Sequence, residues 1–445
     1  MPAPEPATAA FERLIRTAQA ERRLPSVAAA ALRDGELIWA DAVGLADLQS
    51  GEEATPDHQY RIASITKTFT AVALMQLRDQ GKLALDDPLD RHIPGAAHSP
   101  TLRFLLSHAS GLQREPPGRI WETMTFPSRE ELVDGLAESE ELLTPGAYRH
   151  YSNLGFALLG EVIARVAGME YERVVDERVL RPLGLTRTTW TPQAPAAAGY
   201  FVDPWTDEAI SEPVTRGLAT ASAGELWSTP IDLCRWAAFL TEPDEDVLAR
   251  DTVEEMHAFQ TMTDLDRWTE GHGLGLMLMR KGDRVFAGHS GAHLGHLSNV
   301  AYHRSTRTAA AVVTNSSAGV PIMALGLDLA EAVADGCPAD PPVWRPGEPV
   351  PEELVGVLGP WWSEGAEFVF RWRENRLEAH PRDAAPGEGL THFAREEADR
   401  YRAVDGRERG ELLLVFRDGR GDVARLQFAG YPLTRRPQPM ARADA

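Results

Sequence analysis

Several scarcities limit what this chain can be. Cysteine occurs only twice in 445 residues, at Cys234 and Cys337, too few for a disulfide framework or a structural zinc site. No stretch approaches the roughly 18 consecutive apolar residues that cross a bilayer. Positive charge is in deficit: 45 lysines and arginines face 66 aspartates and glutamates, a net charge of −21 spread along the chain. Such a balance repels phosphate backbones and anionic lipid, so no nucleic-acid partner and no membrane partner is expected. The amino terminus carries Glu5, Glu12 and Glu21 where a secretory signal would need a basic start and an unbroken apolar run, which sets the expectation of a cytoplasmic protein. Neither a phosphate-binding glycine loop nor a dinucleotide fingerprint occurs, and no cofactor is expected. Internal repeats are absent too.

Lysine is the most telling scarcity. It stands at Lys67, Lys82 and Lys281 alone, and the other 42 basic residues are arginine. Arginine is never deprotonated in practice, whereas a desolvated lysine can act as a base, so each retained lysine calls for inspection.

What remains is globular, with 43% hydrophobic and 25% charged residues in a length that allows two or three domains. Apolar spacing predicts helices over 7–23, 64–80, 102–106, 154–166, 171–180 and 323–334, and another opening at Ser228-Thr229-Pro230. Segments 27–32 and 37–43 read as a hairpin turning at Asp34-Gly35, and 297–303 and 308–314 as two further strands. Without a regular strand-helix-strand rhythm, the expected class is α+β, an antiparallel sheet flanked by helices. Six prolines between Cys337 and Pro351 mark a stiff linker over 337–351, separating a domain 1–336 from a small all-β domain 352–445 with alternating strands such as 368–373 and 412–417.

Three motifs carry candidate chemistry. Ser64-Ile65-Thr66-Lys67 places a hydroxyl and an amine three residues apart on one helix face, where a neutral lysine can take the serine proton. Chance alone predicts about 0.1 such pairs in this composition. The bland alternative is a solvated Ser and Lys on a surface helix. Tyr151-Ser152-Asn153 offers a phenol that, with a lowered pKa, relays a proton, and a carboxamide that holds the lysine amine and a substrate amide; alone, it equally describes a half-buried aromatic beside a helix cap. Gly288-His289-Ser290-Gly291-Ala292 allows four readings: a nucleophile elbow at Ser290, a metal-binding helix face with His289, His293 and His296, a plain buried turn, or an edge strand whose Ala292 N–H faces an oxyanion. Gly291 and Gly295 interrupt any helix there, which weakens the first two.

In order and spacing, the three motifs resemble those of the serine β-lactamase and penicillin-binding-protein superfamily. The similar branch contains class C β-lactamases, D-aminopeptidases, D,D-carboxypeptidases and related esterases. Thr101-Leu-Arg-Phe-Leu-Leu-Ser-His-Ala-Ser-Gly111, Arg181-Pro-Leu-Gly-Leu185 and Ala223-Gly-Glu-Leu-Trp-Ser-Thr229 look like the same branch. The resemblance covers residues 11 to 335 and implies an α/β sandwich with a helical subdomain and an acyl-enzyme on Ser64. Lys67 and Tyr151 share base and acid duties, Asn153 positions the substrate amide, and N–H groups of Ser64 and Ala292 form the oxyanion hole beside Ser290 and Gly291. The carboxy-terminal domain is similar to a lipocalin-like appendage of some members. One departure stands out: the third motif, usually Lys-Thr-Gly with a cation that helps bind a carboxylate, carries His289 here. A mostly neutral imidazole favours an uncharged ester, amide or thioester, and the missing export signal also points away from peptidoglycan and antibiotics.

The leading expectation is a serine hydrolase acting on a small-molecule or peptidyl ester or on a D-residue amide. Two alternatives stay open: an acyl transferase resembling penicillin-binding-protein-type thioesterases, which would take its substrate from a carrier protein, and a non-catalytic ligand-binding module. Segments 113–129 and 191–217, rich in Pro, Trp and Tyr, are expected to wall the pocket. The oligomeric state is not legible.

Overall fold

Two alanine- and valine-rich segments, Ser26–Arg33 and Thr308–Thr314, are buried along their length apart from Arg33, as continuous small apolar runs require when both faces of a sheet are covered. They pair antiparallel, Val27 opposite Thr314 and Arg33 opposite Thr308, as the third and fourth strands of a nine-stranded sheet. The computed structural model describes residues 3, 5–203, 208–317, 319–336, 349–385 and 388–438. Outward from Ser26–Arg33 lies Glu36–Asp47; outward from Thr308–Thr314 come His296–His303, Arg284–His293 and Met277–Lys281. The Asp34-Gly35 turn is confirmed, both residues having positive φ as a two-residue hairpin turn of this twist demands.

Helices Glu5–Arg22 and Ile322–Gly336 cover one face through Phe11, Ile15, Leu329 and Val333. The other face is covered by Pro230–Thr241, capped by the Thr229 hydroxyl on Asp232 N–H, and by a larger core built around helices Thr66–Asp79 and Asn153–Ala167. Phe69 stacks on Trp236 at 3.9 Å to join these two layers. The result is the expected antiparallel sheet between helices.

Two expected helices differ in detail. Residues 171–180 divide into an α-helix Tyr171–Val175 and a wider π-helical turn Asp176–Leu180, where the Asp176 carboxylate accepts the Trp190 Nε1–H. The helix expected from Ser64 begins at Thr66. Ala63 takes a left-handed φ of 47°, so Ala63–Ile65 forms a tighter 3₁₀ turn ahead of it.

The chain divides into two compact units, Met1–Ala339 and Asp340–Ala445. In the second, eight strands from Gly359–Ser363 to Tyr431–Leu433 lie in sequence order, each antiparallel to the next. A bridge between Trp362 and Thr434 brings the two edges together into a nearly closed barrel. Its interior is filled by Trp361, Phe370, Phe393 and Leu413, and Arg435 caps Trp361 with its guanidinium 3.9 Å from the ring. The expected linker falls for its most part, 337–348, outside the described residues. Among the described residues, no helix is long and apolar enough to cross a membrane.

Candidate active site

The turn that presents Ser64 is stitched on both sides. Ile62 N–H donates to Leu226 O, the Thr66 hydroxyl donates to Ala63 O, and that hydroxyl accepts from Leu226 N–H. A non-glycine residue at positive φ costs energy, and these bonds hold Ala63 in that strained position immediately before Ser64. Strand Arg284–His293 passes beside the turn so closely that a Cβ on Gly291 would stand 2.1 Å from Ile62 O. Only glycine fits there, which explains the Ser-Gly step of the third motif.

One turn further on, Lys67 has no exposed surface. Its Nζ lies 2.6 Å from Ala223 O, 2.7 Å from Asn153 Oδ1 and 3.2 Å from Ser64 Oγ. The Asn153 amide can face only this way, because its Nδ2 donates to Glu115 Oε1 at 2.6 Å. Desolvation holds the Lys67 pKa well below the ordinary lysine value, with Glu115 opposing and Arg114 assisting. A neutral amine has two N–H bonds. Ala223 O and Asn153 Oδ1 accept both, so the lone pair is left for the Ser64 proton.

Tyr151 also reaches Ser64, through a hydrogen bond between their hydroxyls. Its ring stacks on His108 at 4.2 Å and has Lys67, Arg114 and Arg149 at 4.9, 4.9 and 5.5 Å from its centre. A proton relay through this phenol asks for a lowered pKa. Instead desolvation pushes it up to about 12, and the Ser64 hydrogen bond and two arginines only moderate the rise. Burial thus pushes both groups toward their uncharged forms, the amine by lowering its pKa and the phenol by raising its own.

The third motif is a strand, with Ser290 opposite Asn299 and Ala292 opposite Leu297. Ser290 has no strand-to-helix turn to present it as a nucleophile, and its hydroxyl points to Met277 Sδ at 3.9 Å. The metal-binding helix is likewise replaced by strand geometry: His289 Nδ1 donates to Ser290 O, His293 Nδ1 accepts from Leu294 N–H, and His296 packs edge-on against Trp227. Among the described residues no group of three or more His, Cys, Asp or Glu is placed to hold a metal. Burial pushes the His289 pKa down to about 3, so the imidazole is neutral, and its Nε2 has no partner among the described residues.

A cleft of about 470 Å³ opens between these groups, lined by Ser64, Tyr151, Asn153, His289, Ser290, Gly291 and Ala292. The motif residues Ser64, Tyr151, Asn153 and His289 to Ala292 therefore meet at one cavity, with Lys67 buried beneath Ser64 and His293 and His296 outside its lining. Four residues not singled out from sequence join them. The Ser152 hydroxyl donates to Gln113 O and Asn153 N–H donates to Arg114 O, which hooks loop 113–115 onto the helix start and brings Arg114 and Glu115 into the cleft. Arg149 is only 19% exposed; its nearest carboxylate, Glu270, is 4.0 Å away, and its Nε has no partner among the described residues. Ala223 supplies only a carbonyl. The signal for Arg114 and Glu115 was their place in the Pro- and Trp-rich segment 113–129; Arg149 and Ala223 had none beyond adjacency to motifs.

The family model described as Beta-lactamase matches residues 11–335. The chain belongs to the beta-lactamase family. A second model, a domain of unknown function (DUF7586), matches residues 350–435. Among curated relatives of this beta-lactamase-family chain, the D-alanyl-D-alanine-carboxypeptidase/endopeptidase AmpH of Escherichia coli (strain K12) is 36% identical over 189 residues, covering 40% of this chain and 48% of that protein. Esterase EstB of Burkholderia gladioli is 33% identical over 196 residues, covering 40% and 49%. The chain thus spans about half the length of the curated relatives it matches. Among solved structures, D-amino acid amidase from Ochrobactrum anthropi SV3 superposes with a TM-score of 0.64 at 27% identity, over 75% of this chain and 98% of that one. Relatives of this serine hydrolase superfamily thus include a carboxypeptidase, an esterase and an amidase.

Proposed function

We propose that this beta-lactamase-family protein is a serine hydrolase that cleaves esters, or amides carrying D-residues, through an acyl-Ser64 intermediate. The observation that carries the reading is the set of three oxygens around Lys67 Nζ, Ala223 O, Asn153 Oδ1 and Ser64 Oγ at 2.6, 2.7 and 3.2 Å: once the amine is neutral its two N–H bonds serve the first two and its lone pair is left for Ser64. As Oγ attacks the substrate carbonyl, its proton passes to Lys67. The N–H groups of Ser64 and Ala292 hold the oxyanion. When the tetrahedral intermediate breaks, the leaving atom takes the Tyr151 proton, and the Lys67 ammonium restores it. Water then attacks the acyl carbon and gives a proton to Lys67; as the second tetrahedral intermediate breaks, Ser64 Oγ departs and takes that proton back, which restores the hydroxyl and the neutral amine. An amine or alcohol in place of water would make the same site an acyl transferase. Supplying an amine acceptor during turnover of an activated ester tests this: hydrolysis predicts the free acid as the main product, and a dominant aminolysis product overturns it.

The pH dependence follows from the base. Catalysis needs Lys67 deprotonated, so kcat/KM rises as pH passes upward through its pKa and then levels. Because burial lowers that pKa well below the ordinary value, kcat/KM is expected to level off well before about pH 10, where an ordinary lysine would still be titrating. A rise that continues tenfold per pH unit up to about pH 10 would show an unperturbed lysine.

His289 alone favoured an uncharged substrate, but the cleft also holds two guanidiniums. Tyr151, the acid for the leaving atom, shares its cavity with Arg114 and Arg149, so a carboxylate on the leaving group meets positive charge there. Arg149→Gln is expected to lower kcat/KM for a leaving group bearing a carboxylate about 10-fold relative to its carboxamide counterpart. An unchanged ratio would leave Arg149 no part in recognition.

A further inference from the structure

The residues on either side of Tyr151 are both bonded to His108. His150 N–H donates to His108 O at 2.7 Å, and Ser152 N–H donates to His108 Nδ1 at 3.2 Å. Between those two bonds the imidazole lies against the Tyr151 ring, with centres 4.2 Å apart and planes 27° from parallel. The backbone before and after Tyr151 and the face of its ring thus rest on one residue.

His108 stands where a side chain is a cost. It follows helix Leu102–Leu106 and the capping Ser107, and it takes a left-handed φ of 56°. Its N–H donates to Leu105 O, and the next N–H, of Ala109, donates to Phe104 O. That pair of bonds usually ends a helix on glycine, which turns left-handed without strain, yet here the position carries a buried imidazole. Glycine would serve the helix end as well. The imidazole is itself fixed, with Phe156 at 5.1 Å and His272 edge-on at 5.2 Å. A backbone N–H can only donate, so Nδ1 carries no proton and accepts through its lone pair. Burial favours that neutral form by holding the His108 pKa well below the ordinary value, and His272, Lys67, Arg149 and His289 push the same way.

We infer that His108 is the positioning residue for Tyr151: it keeps the phenol oxygen in line with the leaving atom and so governs how well poor leaving groups depart. The inference rests on the proposed acid role of Tyr151. When ethanol is the leaving group, the carbon–oxygen bond breaks as that oxygen takes the Tyr151 proton. p-Nitrophenolate departs as a stable anion and needs no proton. A phenol that swings out of line therefore fails the first and spares the second, and a shift of about 1 Å in a catalytic group costs up to about 100-fold.

Measuring kcat/KM for p-nitrophenyl acetate and ethyl acetate, which share one acyl group, tests this on the whole chain in wild type, His108→Gly, His108→Asn and Tyr151→Phe. Glycine suits the backbone and removes both the acceptor and the stacked ring. Asparagine also tolerates the left-handed turn, and its Oδ1 restores the acceptor alone. The p-nitrophenyl-to-ethyl ratio is expected to rise about 100-fold in Tyr151→Phe and at least about 10-fold in His108→Gly, with His108→Asn between His108→Gly and wild type. Loss of folded protein lowers both rates together, so a merely structural role for His108 leaves the ratio where it was. A ratio unchanged in His108→Gly but raised in Tyr151→Phe overturns the inference. A ratio unchanged in Tyr151→Phe overturns the acid role of Tyr151, and the positioning by His108 with it.

Discussion

Replacing Ser64 by alanine is expected to lower kcat for ester hydrolysis by at least about 10⁴-fold while leaving the protein folded. The size of the loss follows from the role: without Oγ there is no atom to carry the acyl group, and Tyr151 and Lys67 act on nothing. Folding survives because the half-buried hydroxyl makes little of the core. Its removal leaves Lys67 with Ala223 O and Asn153 Oδ1, and the Tyr151 hydroxyl, which loses its bond to Ser64, borders the cleft. The turn that presents residue 64 is held by Thr66, Ile62 and Leu226, none of which uses the serine side chain. Steady-state kinetics together with the thermal midpoint check both halves. Activity retained in Ser64→Ala and lost in Ser290→Ala would transfer the nucleophile to the third motif.

The second large effect is expected at Lys67. Arginine preserves the charge and can never surrender it, so Lys67→Arg removes the base and should slow acylation at least about 100-fold. The site magnifies the effect: the amine is wholly buried among three oxygen partners, and a planar guanidinium needs more room than they leave. Because the bulk of Lys67→Arg acts on packing as well as on the proton, Lys67→Met, of similar length and neutral, should show the same loss without added bulk. Stopped-flow acylation by an activated ester measures both. Near-normal acylation in either variant would make Lys67 a structural residue.

How much of this was legible from sequence depends on whether a side chain's own identity carries the information. Ser64 and Lys67 were readable because three-residue spacing on a helix face is a local rule, and it survives the change from α-helix to a 3₁₀ turn at Ala63–Ile65. The Asp34-Gly35 turn and the Thr229 cap are local in the same way. At Gly291 the sequence showed only that a helix was broken. The need for glycine comes from Ile62, more than 200 residues away in the chain. Ala223 contributes a backbone carbonyl, which no residue type announces. Arg114 and Arg149 are two of 42 arginines, and only the fold separates them from the solvated majority. The sign of the Tyr151 shift was misread for a related reason. The neighbouring cations that lower a phenol's pKa are visible as residues, whereas the desolvation that outweighs them belongs to the packed site.

The central claim is that one hydroxyl, Ser64 Oγ, becomes acylated. Peptide mapping by mass spectrometry, after the protein is incubated with a fluorophosphonate, tests it most directly. A single adduct is expected, on the peptide containing Ser64, and none in Ser64→Ala. An adduct on Ser290, or no adduct at all on a folded protein, would contradict it.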